Sequence, residues 1–140
     1  MQGLRSKLAL CRPRYENEMD LQTERRLEQF ARLAELPVKR MEPRMEFTLP
    51  PLRLYVEAID DRVLLTLALP IEAVHRAQVL KNLLRACNPY LLQGVPLRAY
   101  CVRDIQLLSC APARHSDGSQ WLDCYRTMRR LLETHAGSRS

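Results

Sequence analysis

The spacing of apolar residues changes at Pro70, from every second position to steps of three and four, and that change limits the chain to folds that set a sheet beside helices. Before it, Leu52, Leu54, Val56 and Ala58 are apolar at every second position, with Arg53, Tyr55 and Glu57 between them. One pleated face of that segment is therefore dry and the other wet. Ile59-Asp60-Asp61-Arg62 supplies a reversal, because an aspartate side chain can bond its own backbone there, and Val63 to Leu69 reads as a second strand, largely apolar on both faces. Beyond Pro70, the segment Ile71 to Asn88 carries Val79, Leu80, Leu83, Leu84 and Cys87 at steps of three and four, which puts them on one side of a helix. Asn88-Pro89 ends it, since the residue before a proline is pushed out of helical geometry. A hairpin with one apolar face and an amphipathic helix make half of an α+β domain, so the flanks must provide the rest.

On the amino-terminal side, Asp20 can cap a helix whose face is marked by Leu21, Leu27, Phe30, Ala31 and Ala34, and Pro37 stops it at about Leu36. Met45, Phe47 and Leu49 then alternate with Arg44, Glu46 and Thr48, the pattern of a strand that begins near Arg44. Neither Pro50 nor Pro51 can donate to a ladder, which makes this an edge strand. On the carboxyl side, Gly94 pivots a loop. Leu97, Ala99 and Cys101 alternate with Arg98, Tyr100 and Val102, Arg103-Asp104 reverses the chain, and Ile105 to Cys110 completes a second hairpin in which Cys101 and Cys110 could touch. Ser116, Asp117 or Ser119 can cap a last helix with Trp121, Cys124, Tyr125, Met128, Leu131 and Leu132 buried and Arg126, Arg129 and Arg130 outside. The expected architecture is α+β in the order α-β-β-β-α-β-β-α, a twisted antiparallel sheet packed by helices. A single domain is expected over 19–137, after a poorly ordered basic extension, 1–18, and before a short tail, 138–140.

Chemistry is sparse. His75, His115 and His135 share no helical spacing, so they suggest no metal site, and His115 with Asp117 and Ser116 or Ser119 is explained by loop polarity. Four glycines form no phosphate-cradling cluster, and no cofactor is implied. Five cysteines, without a Cys-x-x-Cys pair, read as reduced, mostly buried thiols. The net charge of +6 permits an anionic partner, but acids are interspersed among the bases and no aromatic platform accompanies them, which argues against nucleic acid. No apolar run is long enough to cross a bilayer and no secretory signal is apparent, so the reading is a soluble, intracellular, non-enzymatic protein.

One local pattern goes further. Leu80-Lys81-Asn82-Leu83-Leu84-Arg85-Ala86-Cys87-Asn88, then Gly94, Leu97-Arg98-Ala99-Tyr100 and Ile105-Gln106-Leu107-Leu108, resembles the helix, glycine loop and strand pair of class I type III secretion chaperones, the Tir chaperone family. Leu27-Glu28-Gln29-Phe30-Ala31-Arg32-Leu33-Ala34 looks like the opening helix of that family. Two features depart from it: members are usually acidic, and the basic extension is not typical. The resemblance implies a bacterial cytoplasmic homodimer, tied to virulence, that binds an extended amino-terminal segment of a secreted effector and keeps it secretion-competent, with no catalysis, nucleotide or membrane insertion. On that reading the effector groove is formed by Phe30, Leu33, Leu36, Val38, Met45, Phe47 and Leu49, and the dimer interface by Leu80, Leu83, Leu84, Cys87 and Tyr90. An adaptor or regulator of the same system that binds a folded protein is the alternative, ahead of a basic nucleic-acid-binding module.

Overall fold

The computed structural model describes residues 19–88 and 90–136, so the basic extension, Pro89 and the tail lie outside the described residues. The elements are α1 (Leu21–Leu33), β1 (Arg44–Leu49), β2 (Leu52–Ile59), β3 (Arg62–Pro70), a 3-10 turn (Ala73–His75), α2 (Arg76–Ala86), β4 (Leu97–Val102), β5 (Ile105–Cys110) and α3 (Gly118–His135). The five strands form one antiparallel sheet in the order β1-β2-β3-β5-β4, so the expected α+β order holds.

The inward face of the sheet is set by alternation. Phe47, Leu54, Leu67 and Leu108 lie across from one another on β1, β2, β3 and β5, and all are buried. Helix residues Leu27, Phe30, Val79, Leu83, Met128 and Leu132 close over them into one core. Turns obey the local chemistry that the sequence offers. Asp60 and Arg103, at the two hairpin reversals, take φ of 58° and 56°, and Gly94 takes φ of 92° in the loop where only glycine is at ease.

Helix α1 begins as expected, with Asp20 Oδ2 accepting from the Thr23 amide at 3.3 Å. It ends earlier than Pro37 would require. Glu35 adopts a left-handed φ of 56°, its amide donates to the Arg32 carbonyl and the Leu36 amide to the Ala31 carbonyl, which is a Schellman stop. The middle helix is also shorter than Ile71 to Asn88. Ala73–His75 is a separate 3-10 turn, and α2 stops at Ala86 before Asn88, whose Oδ1 accepts from the Tyr90 amide at 2.9 Å.

Helix α3 is anchored on α1. Asp117 is its N-cap in a full capping box with Gln120: the Asp117 carboxylate accepts from the Gln120 amide at 3.0 Å, and the Asp117 amide donates to Gln120 Oε1 at 2.9 Å. Gly118 then crosses α1 so closely that a Cβ would lie 2.7 Å from the Phe30 nitrogen and 2.9 Å from the Arg26 carbonyl oxygen. Its amide donates to Gln29 Oε1 at 2.9 Å. Further along, Phe30 meets Trp121 and Tyr125 edge-on, with ring centroids 6.3 and 6.1 Å apart.

Candidate functional site

Strand β1 stands at one edge of the sheet, as its flanking prolines imply, with β2 as its one ladder partner. Its outer backbone groups therefore face away from the ladder and can template an extended chain. Ion pairs hold the strand to its neighbour on the side away from the helices: Arg53 to Glu46 at 3.1 Å and Arg44 to Glu57 at 3.9 Å. Both pairs are well exposed, so they steer and align β1 more than they stabilise it. On the helix side, the connection from α1 to β1 runs alongside the strand and leaves a cleft of about 310 Å³ lined by Val38, Met45 and Phe47 with Arg40, Arg44 and Glu46 at its rim.

The residues expected to form a groove thus divide. Val38 and Met45 line this cleft and keep accessible surface, and Leu49 is half-buried at the far end of β1. Phe47 contributes to the cleft wall although it is mostly buried. Phe30, 1% exposed, and Leu36 pack inside the protomer, which corrects the expectation that they lie open to a partner; the aromatic contacts of Phe30 explain why. Leu33, 41% exposed, is turned instead toward α3.

The residues expected at a two-fold interface also divide. Leu83 is wholly buried beside Val79 in the core, a correction that follows from helical phase, since the inward line of α2 runs through these two positions. Leu84 is 55% exposed and Tyr90 is 87% exposed, while Leu80 and Cys87 are half-buried. Sequence reasoning missed two further exposed apolar residues, Val74 just before α2 and Leu91 just after it. Val74 became legible only with the 3-10 turn, and Leu91 only with the loop fold.

The Ser116 hydroxyl accepts from Trp121 Nε1 at 2.8 Å and donates to the Ala113 carbonyl, and Asp117 is occupied as a cap, so the triad residue types around His115 do structural duty. Among the described residues no group of His, Cys, Asp or Glu is placed to hold a metal, and no helix is long and apolar enough to cross a membrane. Cys101 faces Gln106 in the β4–β5 ladder and Cys110 faces Leu97, so those two thiols do not meet as expected. Cys110 instead shares a hydrogen bond with Cys124 of α3, which, with burial, pushes the Cys110 thiol well above its usual range.

Comparison with solved structures places this fold among proteins of known architecture. The Yersinia pestis type III secretion chaperone SycH, solved with a stable fragment of YscM2, superposes with a TM-score of 0.61 at 16% identity, covering 81% of this chain and 99% of that one. SpcS in its complex with ExoT from Pseudomonas aeruginosa gives 0.56 at 15% identity, over 84% and 99% of the two chains. YbjN from E. coli, proposed to regulate transcription, gives 0.50 at 11% identity over 77% and 84%. At such identities the likeness is one of fold. No curated protein sequence matches the chain. The likeness to SycH and SpcS is thus one of fold, whereas a match at the level of sequence spans residues 20–135, nearly the whole described region, and by it the chain belongs to the SsaM family.

Proposed function

We propose that this protein is a non-catalytic type III secretion chaperone that, as a homodimer in the bacterial cytoplasm, holds an extended segment of a secreted protein. The observation that carries the reading is the pairing of an open sheet edge with an apolar cleft at its side: β1 offers backbone groups, and Val38, Met45 and Phe47 offer a place for alternate side chains. Each backbone bond that a client strand adds contributes about 0.5–1.5 kcal/mol net, so a strand the length of β1 gains affinity mainly from the main chain and selectivity from the cleft. The dimer supplies a second, symmetry-related edge, and the exposed Leu84, Tyr90 and Leu91 are the surface it would bury. The fold shared with SycH and SpcS, both solved with bound protein partners, supports this reading.

One observation favours the alternative, an adaptor that binds a folded regulatory protein. With Phe30 and Leu36 inside the core, the cleft is smaller than an unfolded client rich in large apolar residues would fill. Co-expression with candidate secreted proteins of the same bacterium separates the two. Val38→Glu with Met45→Glu should leave size and circular dichroism unchanged and reduce co-purification of a client's amino-terminal segment by about tenfold or more. Capture that is unchanged in this variant, or that requires a folded domain of the partner, overturns the chaperone reading.

A further inference from the structure

A second recessed surface lies away from β1 and shares no residue with its cleft. Leu33 and Ala34 at the end of α1 and Leu122 on α3 form its apolar floor, Arg126, Arg129 and Arg130 form its wall, and the space between is about 420 Å³. The three arginines stand at i, i+3 and i+4 on the exposed side of α3, so Arg126 faces two like charges, an arrangement that helix stability alone disfavours. Arg129 is held in place: its Nε donates to Glu133 Oε2 and its Nη1 to the Tyr125 hydroxyl, at 3.1 and 3.3 Å. Those bonds use two of the five donors of a guanidinium and leave three. Glu133 is spent on Arg129, and among the described residues no ion pair engages Arg126 or Arg130, so Glu35 is the other acid of the rim against two uncommitted cations. Beside them Leu33 presents more surface than a helix end in a finished core would.

We propose that this cleft docks an acidic segment of a partner protein, with two or more carboxylates meeting Arg126 and Arg130 on either side of an aliphatic side chain seated on Leu33 and Leu122. Planar guanidinium groups accept carboxylates in paired bonds, and the apolar floor rewards a segment that is amphipathic rather than merely anionic. The surface is independent of the β1 edge: it would serve a chaperone or an adaptor alike.

The test uses the full chain and a labelled synthetic peptide of alternating glutamate and leucine, followed by fluorescence anisotropy. The same peptide with glutamine in place of glutamate serves as comparison. The glutamate peptide should bind more tightly, its affinity falling as salt is raised, and Arg126→Glu with Arg130→Glu should weaken it by about tenfold or more. Both side chains are exposed, so the variant should fold, and Arg126→Gln with Arg130→Gln replaces it should the reversal not. Charge reversal at Arg62 and Arg85, exposed and outside the cleft, should leave binding within about twofold. Equal binding of the two peptides, equal loss in the Arg62 and Arg85 variant, or tighter binding of a duplex oligonucleotide through Arg126 and Arg130 would each overturn the proposal.

Discussion

Gly118 shows how much one missing Cβ can decide. The atoms a methyl group would meet are backbone atoms of α1, the Phe30 nitrogen and the Arg26 carbonyl oxygen, and backbone cannot swing aside as a long side chain can. Gly118→Ala should therefore push α3 off α1 and lower stability by about 1–3 kcal/mol in chemical denaturation, even though alanine is the better helix former. The buried thiols give a second residue-scale expectation. Cys110 and Cys124 sit between β5 and α3, almost without access to solvent, and the hydrogen bond that Cys110 donates to Cys124, together with burial, raises the Cys110 thiol while the same bond lowers that of Cys124. Maleimide treatment of the folded protein should leave both unmodified at neutral pH, Cys110 because it is buried and protonated and Cys124 because burial keeps the reagent from its sulfur, while Cys101, half-exposed at the β4 edge, is labelled. Peptide mapping by mass spectrometry reads the difference, and early labelling of Cys110 would show that α3 opens readily.

At the scale of elements, the ends are chosen by side chains within a few residues of them. The Asp117–Gln120 box starts α3, and Asp117→Ala should cost about 1 kcal/mol, measured by urea unfolding, because it leaves amides of the first turn without an acceptor. The start of α3 was legible in the sequence as a short list of capping residues, and the helix itself as a line of apolar positions through Trp121, Met128 and Leu132. The end of α1 was less legible. Proline is a visible stop, but a Schellman ending at a glutamate carries no such mark, and it takes effect here because Leu36 can be buried against the helix it terminates. The same limitation hid the break between the 3-10 turn and α2: periodicity records which residues are apolar and not where a helix tightens its first turn.

For the whole molecule, the arrangement that matters is one-sidedness. All three helices share the face of the sheet that holds Leu54, Leu65 and Leu108, and β1 closes one flank with its outer edge free. Within the protomer this leaves Leu84, Tyr90 and Leu91 uncovered beside α2. If they form a two-fold contact, as proposed, light scattering should give about twice 16.3 kDa, and Leu84→Glu with Tyr90→Glu should give a folded monomer, since neither side chain supports the core. A wild-type monomer at micromolar concentration would remove the dimer from the proposal while leaving the edge cleft untouched.

The sequence by itself determined the elements, because period, caps, prolines and turn residues act over distances of a few residues: two hairpins, an edge strand at β1, and three amphipathic helices in order. It also determined which side of β1, β2 and β4 is dry. Only the tertiary structure decided that β5 inserts between β3 and β4, since both strands of that hairpin offer an apolar face and the choice turns on which one the core can bury more fully. The same is true of the candidate sites. Phe30, Leu33, Leu83 and Leu84 look alike as apolar residues on helical faces, and a rotation of about 100° per residue separates neighbours that fill the core from neighbours left for a partner. That phase is fixed by what each helix packs against, which no local pattern contains.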